Sequence, residues 1–316
     1  MTAFWNVVSA ESFKLIRKRR TYVLAGLWWL LLPSLVLIVG RVLVSNLGAS
    51  FANEAGGIDL VVQTIASPYG VALIGVVGPA FVSPPFYVIV VAALAAVLIG
   101  EERSHKMWKT VLVAQPSRPA VLAGKLVAAM LAVGILLGGA LVAGVAFGAV
   151  GTLFLPTTFA GDWGGLLRTY LLQWAFTGAL VAFAFLMVHM ARNVAVGMIL
   201  VFFLPGLLET LYSVYAAVVG FQPINRFNVF LQGIRLRQLL EDLPTYFFTA
   251  NVYAPARAPV REVASAFTAE TAAEGLDLSG LLGTSITLER AVWVAGGYAL
   301  LFLAILVWRF LRADID

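Results

Sequence analysis

Residues 100–125 read GEERSHKMWKTVLVAQPSRPAVLAGK, and this polar stretch lies between two long apolar runs. It holds five cations against two acids, namely Arg103, Lys106, Lys109, Arg118 and Lys125 against Glu101 and Glu102. Cationic loops between membrane spans stay in the cytoplasm. The stretch therefore predicts a cytoplasmic loop over residues 101–120, between two membrane-spanning helices, and it orients the rest of the chain.

A short amphipathic helix is predicted within this loop, from about residue 104 to residue 114. Its apolar side chains recur at the spacing of one helical face: Met107, Trp108, Val111 and Leu112. Pro116 and Pro119 follow and end the helical pattern. Two interpretations remain open: a loop that merely lies at the membrane surface, and a coupling helix that docks on a partner in the cytosol.

The composition is that of a multi-pass membrane protein. Of the 316 residues, 61% are hydrophobic and 12% are charged, whereas a soluble domain has about 45–50% apolar and about 25% charged residues. The net charge of +5 does not indicate a nucleic-acid partner, because the cations gather at the ends of the apolar runs. The chain has no cysteine, which excludes disulfides and thiol catalysis.

The apolar runs predict an all-α protein with six transmembrane helices and both termini in the cytoplasm. The predicted spans cover approximately residues 21–44, 71–100, 121–150, 166–190, 194–219 and 291–311. The cations support this orientation, because the predicted inner segments hold most of them and the short outer loops almost none. Residues 1–316 are thus predicted to form a single transmembrane domain.

Prolines predict breaks in two of these spans. Pro79, Pro84 and Pro85 lie in the outer half of span 2, so we expect a short outer helix, a break, and a span from about Pro85 inward. The pair Pro205-Gly206 interrupts span 5, and a re-entrant or interfacial outer helix is expected over residues 207–219. In span 3, small residues recur every four positions, which favours close packing of helices within the chain over a dimer contact.

The two remaining polar regions lie at the N-terminus and before span 6. Residues 1–20 are predicted to form a cytoplasmic interfacial helix whose apolar face carries Phe4, Trp5, Val8, Leu15 and Ile16. A basic end follows this face, which suits a helix lying on an anionic leaflet or, alternatively, a simple topogenic flank. Residues 220–288 are assigned to the extracytoplasmic side, with an amphipathic helix over residues 228–243.

The sequence lacks the motifs of nucleotide, metal and nucleophilic chemistry. Its one Gly-Lys pair, Gly124-Lys125, is followed by leucine and has no upstream glycine of a phosphate-binding loop. We therefore predict no catalytic, cofactor-binding or metal-binding residue. Glu209 is the main ionisable residue within a span, and with Pro205 it is a candidate for a pathway or gate; a hydrated structural carboxylate is the alternative.

Three parts of the chain resemble the type-2 exporter class of ABC transporter permeases. The first part is the polar stretch of residues 100–125, where the similar residues are Glu101-Glu102, Trp108-Lys109-Thr110, Pro116-Ser117-Arg118 and Lys125. Within it, Lys106-Met107-Trp108-Lys109 departs from the usual glycine-threonine form of the class. Glu11 and Lys14-Leu15-Ile16-Arg17 are similar to the N-terminal motif of that class. Residues 310–315 are similar to its C-terminal motif, with Ala313 in place of an arginine. Within the class, the chain is most similar to bacitracin-resistance and lantibiotic-immunity permeases.

The resemblance implies a permease subunit of an ATP-driven exporter in a bacterial plasma membrane. Two permeases, identical or similar, would form the pathway, and two separate cytoplasmic ATPase subunits would hydrolyse the ATP, so that the chain itself is not an enzyme. The substrate would be a hydrophobic or amphipathic drug, peptide or lipid moved outward. The implied ATPase contacts are Trp5, Glu101, Glu102, Lys106, Trp108, Lys109 and Arg118. The alternative is a membrane accessory or assembly protein without its own pathway.

Overall fold

The computed structural model describes residues 2–47, 62–63, 65–77, 86–100, 102, 117–191, 193–220, 242–256, 258–259 and 286–312. Within these ranges every regular element is a helix. The α-helices are α1 (Thr2–Arg17), α2 (Arg19–Gly26), α3 (Leu32–Leu47), α4 (Pro68–Val77), α5 (Phe86–Ala95), α6 (Arg118–Gly151), α7 (Trp163–Met190), α8 (Val194–Gly220), α9 (Phe248–Val252) and α10 (Leu288–Arg312). A π-helical turn, Leu27–Leu31, joins α2 to α3, and a second one, Ala96–Gly100, extends α5.

Five helical segments are long and apolar enough to cross a membrane, which confirms a multi-pass α-helical membrane protein. They are Arg19–Ser45, Arg118–Gly151, Trp163–Met190, Val194–Tyr212 and Leu288–Arg312. The predicted span 2 corresponds to two shorter helices, α4 and α5 with its π-turn, on either side of the expected break. Residues 78–85, which contain the prolines of that break, lie outside the described ranges. The total of six spans stays a prediction.

Helix α7 lies at the centre of the bundle. It packs against α5, α6, α8 and α10, and 67% of its most apolar 18-residue stretch is buried within the chain. The corresponding share is 11% for α8 and 17% for α10. These two helices therefore lie at the periphery, where most of their apolar surface is left to lipid or to another protein.

Close packing of α4 on α6 depends on the small residues of α6. A Cβ atom added at Gly144 would lie 2.5 Å from the Cα atom of Ala72, and one added at Gly148 would overlap the backbone of Pro68. Two neighbouring indoles tie the first span to the same pair of helices. Trp28 Nε1 donates to the Gly75 carbonyl at 2.8 Å, and Trp29 Nε1 donates to the Leu136 carbonyl at 2.8 Å. At Gly144 and Gly148, the expectation of packing within the chain is thus confirmed.

The predicted break in span 5 is wrong. Helix α8 runs without interruption from Val194 to Gly220, with Pro205 inside it. A proline removes one backbone donor but need not end a helix when the surroundings are apolar, because unpaired backbone groups cost more there than in water. The helix loses the one backbone hydrogen bond that Pro205 cannot donate, to the Val201 carbonyl, and continues on either side of it. The re-entrant helix expected over residues 207–219 is therefore the second half of α8.

A different segment packs within the bundle, and the sequence did not predict it. A 3₁₀ turn, Leu243–Tyr246, leads into α9, which lies against α7, α8 and α10. The ring of Phe248 lies 5.4 Å from that of Phe183, about 30 Å along α7 from its first residue. Ala256 packs close to the start of α7, beside Leu166. Residues 243–256, assigned to a polar outer region by sequence, thus reach deep between the spans and return.

Buried amides satisfy the irregular backbone of this re-entrant segment. Asn251 Nδ2 donates to the carbonyls of Thr245 and Phe247, each at 2.8 Å, and Gln173 Nε2 of α7 donates to the Val252 carbonyl at 3.4 Å. Both amide side chains are fully buried. Such pairing is what non-helical backbone requires at membrane depth. The predicted amphipathic helix over residues 228–243 lies almost entirely outside the described ranges.

Candidate functional site

Four charged residues from three separate parts of the chain meet at one end of the helix bundle. Glu11 and Lys14 lie three residues apart and share one face of α1. Glu102 follows the π-turn that ends α5, and Lys125 lies in the second turn of α6. We call Glu11, Lys14, Glu102 and Lys125 the charge cluster. All four belong to the motifs on which the family resemblance rests.

Lys125 is at the centre of the charge cluster and is fully buried. Its Nζ atom lies 2.5 Å from Glu11 Oε1, 2.8 Å from Glu102 Oε1 and 2.8 Å from the Leu98 carbonyl oxygen. An ammonium group has three N–H donors, so these three acceptors satisfy it completely. The side chain of Lys125 thereby joins α1, the end of α5 and the start of α6.

Lys14 links the charge cluster to solvent. Its Nζ atom lies 2.6 Å from Glu102 Oε1 and 3.2 Å from Glu11 Oε2, and a quarter of its side chain is exposed. Each carboxylate therefore contacts both ammonium groups. Two negative and two positive charges balance, which is the condition under which charged groups tolerate burial.

The pKa of Glu102 shows that the ion pairs prevail over burial. Burial is the largest influence and raises the pKa, but the charge of Lys125 and hydrogen bonds from Lys125 and Lys14 together hold it below its ordinary value of 4.5. The carboxyl group is therefore ionised at neutral pH. Its Oε2 atom is buried and has no hydrogen-bond partner among the described residues.

Packing of α1 on α6 places Glu11 in the charge cluster. Val7 lies directly over Gly124, where an added Cβ atom would come within 2.6 Å of the valine side chain. Val8 and Leu15 are buried on the same side as Glu11. Because the residue before Lys125 has no side chain, α1 approaches closely enough for the short carboxylate of Glu11 to reach the ammonium group.

The apolar face predicted for α1 is divided in the structure. Val8 and Leu15 are buried against the bundle, whereas Trp5 and Ile16 are about 60% exposed, together with Phe13. The guanidinium of Arg17 lies 4.4 Å from the centre of the Phe13 ring. The predicted contact residue Trp5 is therefore on an outward-facing surface, separate from the buried face that carries Glu11.

The other predicted contact residues have different positions. Glu102 is buried in the charge cluster, so its carboxylate is committed to Lys14 and Lys125. Arg118, at the start of α6, donates from Nη1 to the Leu311 carbonyl at the end of α10, at 2.8 Å. The remaining four, Glu101, Lys106, Trp108 and Lys109, lie outside the described residues.

Sequence reasoning identifies Lys125, Glu11 and Lys14 as motif residues but does not predict that they form a site. By sequence Lys125 is one of the cations of a polar loop, and its burial depends on Glu11, 114 positions away. The sequence feature that could have predicted this site is the spacing of the motifs along the chain. Each places a charge at the end of an apolar run, and span ends on one side of a membrane lie at one level.

Glu209 and Pro205 lie on α8, away from the charge cluster. The Thr249 hydroxyl of α9 donates a hydrogen bond to Glu209 Oε1. An ionised carboxyl group at the centre of a bilayer costs about 2.5–3.5 kcal/mol on insertion scales, so a polar contact of this kind lowers the cost. Pro205 is a helical residue one turn before Glu209 and makes no break.

No family model, curated protein or solved structure matches this chain. Among the described residues, no group of three or more His, Cys, Asp or Glu side chains could hold a metal ion. The charge cluster thus offers a rigid ionic junction between helices rather than a set of metal ligands.

Proposed function

We propose that this chain is the membrane-spanning permease subunit of an ATP-driven exporter of the type-2 ABC class. It would form the translocation pathway as a dimer with itself or a similar permease. Two separate ATPase subunits would bind on the cytoplasmic side, and a hydrophobic or amphipathic drug, peptide or lipid would move outward. The observation that carries this proposal is the charge cluster, because it brings together two of the three parts on which the resemblance rests, the N-terminal motif and the polar stretch of residues 100–125.

The position of the charge cluster suits the transmission of force. Residues 103–116, part of the predicted cytoplasmic loop, lie in the sequence between Glu102 and α6, whose second turn holds Lys125. Arg118 further attaches the start of α6 to the end of α10. A partner that pushes on this loop or on the exposed side of α1 would therefore move α1, α5 and α6 together.

The chain would depend on a partner for its energy source. It lacks a phosphate-binding loop, so nucleotide hydrolysis would come from separate subunits. The peripheral helices α8 and α10 leave apolar surface on which a second permease copy could pack. The predicted loop and the exposed Trp5 would then contact the ATPase, and the outward surface of the bundle would contact the second permease.

Co-purification tests the proposal. We expect an affinity-tagged chain, extracted in mild detergent from its native cell membrane, to retain an ATPase subunit that carries a phosphate-binding loop. Hydrolysis by this preparation should fall to background when the ATPase is stripped away. An untagged membrane extract is the control for non-specific capture. A chain that purifies alone, or that binds only non-ATPase proteins, would contradict the proposal and favour the accessory role.

A further inference from the structure

We propose that Glu209 and the aromatic rings beside it bind a lipophilic organic cation from within the membrane. The site consists of Glu209 on α8, Thr249 and Phe248 on α9, and Tyr298 and Phe302 on α10; we call it the Glu209 site. The inference rests on the proposed function only in treating the bound cation as a transported substrate.

Three elements bring this negative charge and these rings together. Thr249 fixes the carboxylate by donating to Glu209 Oε1. Tyr298 of α10 packs edge-on against the ring of Phe248, the residue before Thr249. The Tyr298 hydroxyl in turn donates to the Tyr246 carbonyl at 3.1 Å, which holds the ring in place. The re-entrant segment thus forms a bridge between α8 and α10, with the carboxylate at one side.

The rings pack as one aromatic cluster, in which Phe183 and Phe248 are buried and Tyr298 and Phe302 are partly exposed. The centre of the Phe248 ring lies 5.3 Å from that of Tyr298 and 5.5 Å from that of Phe302, and Phe183 lies 5.0 Å from Phe302. The faces of aromatic rings carry partial negative charge and attract cations within about 6 Å of the ring centre. When it is ionised, the carboxyl group of Glu209 attracts a cation to the same place.

Two further observations favour a cation that is lipophilic. On α8, the residues flanking Glu209, including Leu208 and Leu211, are apolar and more than half exposed, so the site is approached across an apolar surface. At the start of the re-entrant segment, the guanidinium of Arg290 from α10 already lies 5.2 Å from the centre of the Tyr246 ring. The Tyr246 ring of the re-entrant segment therefore already contacts one cation. A delocalised cation with an apolar body would suit both the charge of Glu209 and the apolar side chains around it.

Direct binding to the purified chain in detergent tests the inference without any ATPase. The probe is radiolabelled tetraphenylphosphonium, and tetraphenylborate, which has the same shape and the opposite charge, serves as the control ligand. We expect the chain to bind the phosphonium and to discriminate against the borate. Glu209→Gln should weaken phosphonium binding at least about tenfold, because loss of the charge removes a contact stronger than a single ring provides. Glu289→Gln, the same substitution at an exposed carboxylate outside the site, should leave binding unchanged.

A second pair of variants covers the case in which Glu209→Gln does not fold, as judged by gel filtration. Tyr298→Phe keeps the ring and should retain binding, whereas Tyr298→Leu should weaken it about threefold or more. Equal binding of phosphonium and borate, or unchanged phosphonium binding by both Glu209→Gln and Tyr298→Leu, would overturn the inference. A binding-competent chain that recruits no ATPase would instead reject the proposed function while leaving this site intact.

Discussion

Replacing Lys125 by methionine provides the sharpest test of the charge cluster. Methionine has a similar length and no charge, so Lys125→Met leaves Glu11 and Glu102 facing each other in a buried position with only Lys14 between them. Removing one partner of a buried ion pair costs about 3–5 kcal/mol, because the remaining charge is left uncompensated. All three hydrogen bonds of the fully buried lysine are lost as well. We therefore expect a loss of about 3–5 kcal/mol in the free energy of unfolding.

Two matched variants isolate the physical cause. Lys14→Met removes the same charge from the same cluster, but Lys14 is partly exposed, so water can replace it and the loss should be only about 1 kcal/mol. The double variant Lys125→Met/Glu102→Gln removes one positive and one negative charge and leaves Glu11 paired with Lys14. It should recover at least about 1 kcal/mol relative to the sum of the single variants.

The assay is reversible unfolding in mixed micelles with increasing dodecyl sulfate, followed by far-ultraviolet circular dichroism. Destabilisation by Lys125→Met that is no larger than that by Lys14→Met would refute the burial of Lys125 and its pairing with the two carboxylates. Strict additivity of Lys125→Met and Glu102→Gln would show that the two side chains do not interact. The same variants, assayed for ATPase recruitment, separate loss of stability from loss of coupling.

Three other predictions follow from individual side chains. The folded-state pKa of Glu102 lies below its ordinary value of 4.5. Its contribution to stability should therefore be fully present above pH 4.5 and be lost as the pH falls through the folded-state pKa. The free energy of unfolding, measured from about pH 7 downward, should show this loss, and Glu102→Gln should make the loss smaller. Gly144→Leu should destabilise the chain by about 1–3 kcal/mol through overlap with α4, whereas Gly297→Leu on α10, where an added Cβ atom meets nothing within 4 Å, should have little effect in the same unfolding assay. Trp108→Ala should weaken ATPase recruitment about thirtyfold, which corresponds to the loss of about 2 kcal/mol expected for a tryptophan that is buried in an interface. If a titration of the ATPase subunit against the membrane-embedded variant gives wild-type affinity, the docking role is contradicted.

Hydropathy alone is sufficient to predict most of the helices. Long apolar runs must satisfy their backbone groups internally, and only helices do so within one segment, which is why α6, α7, α8 and α10 lie close to their predicted positions. The same principle explains the error at Pro205. A proline breaks helices readily in water, but within an apolar helix the surrounding backbone bonds persist, and only the bond to the Val201 carbonyl is lost.

The local sequence pattern is not sufficient to predict the re-entrant segment or the charge cluster. Residues 246–254 are rich in apolar and aromatic side chains but form too short a run to register as a span. Their burial depends on distant amides such as Gln173. Likewise, nothing near Lys125 in sequence distinguishes a buried lysine from an exposed one. The deciding information is the identity of its partners, and these come from parts of the chain made earlier.

That order has a consequence for how the protein is made. Glu11, Lys14 and Glu102 all precede Lys125, so both carboxylates leave the ribosome before the lysine does. We therefore expect the lysine, which would hinder insertion of α6, to find its counter-charges when α6 enters the membrane. A chain whose N-terminal helix is missing or carries Glu11→Ala would present α6 with only one of its two acids, and the defect would arise at membrane insertion, before any transport cycle begins.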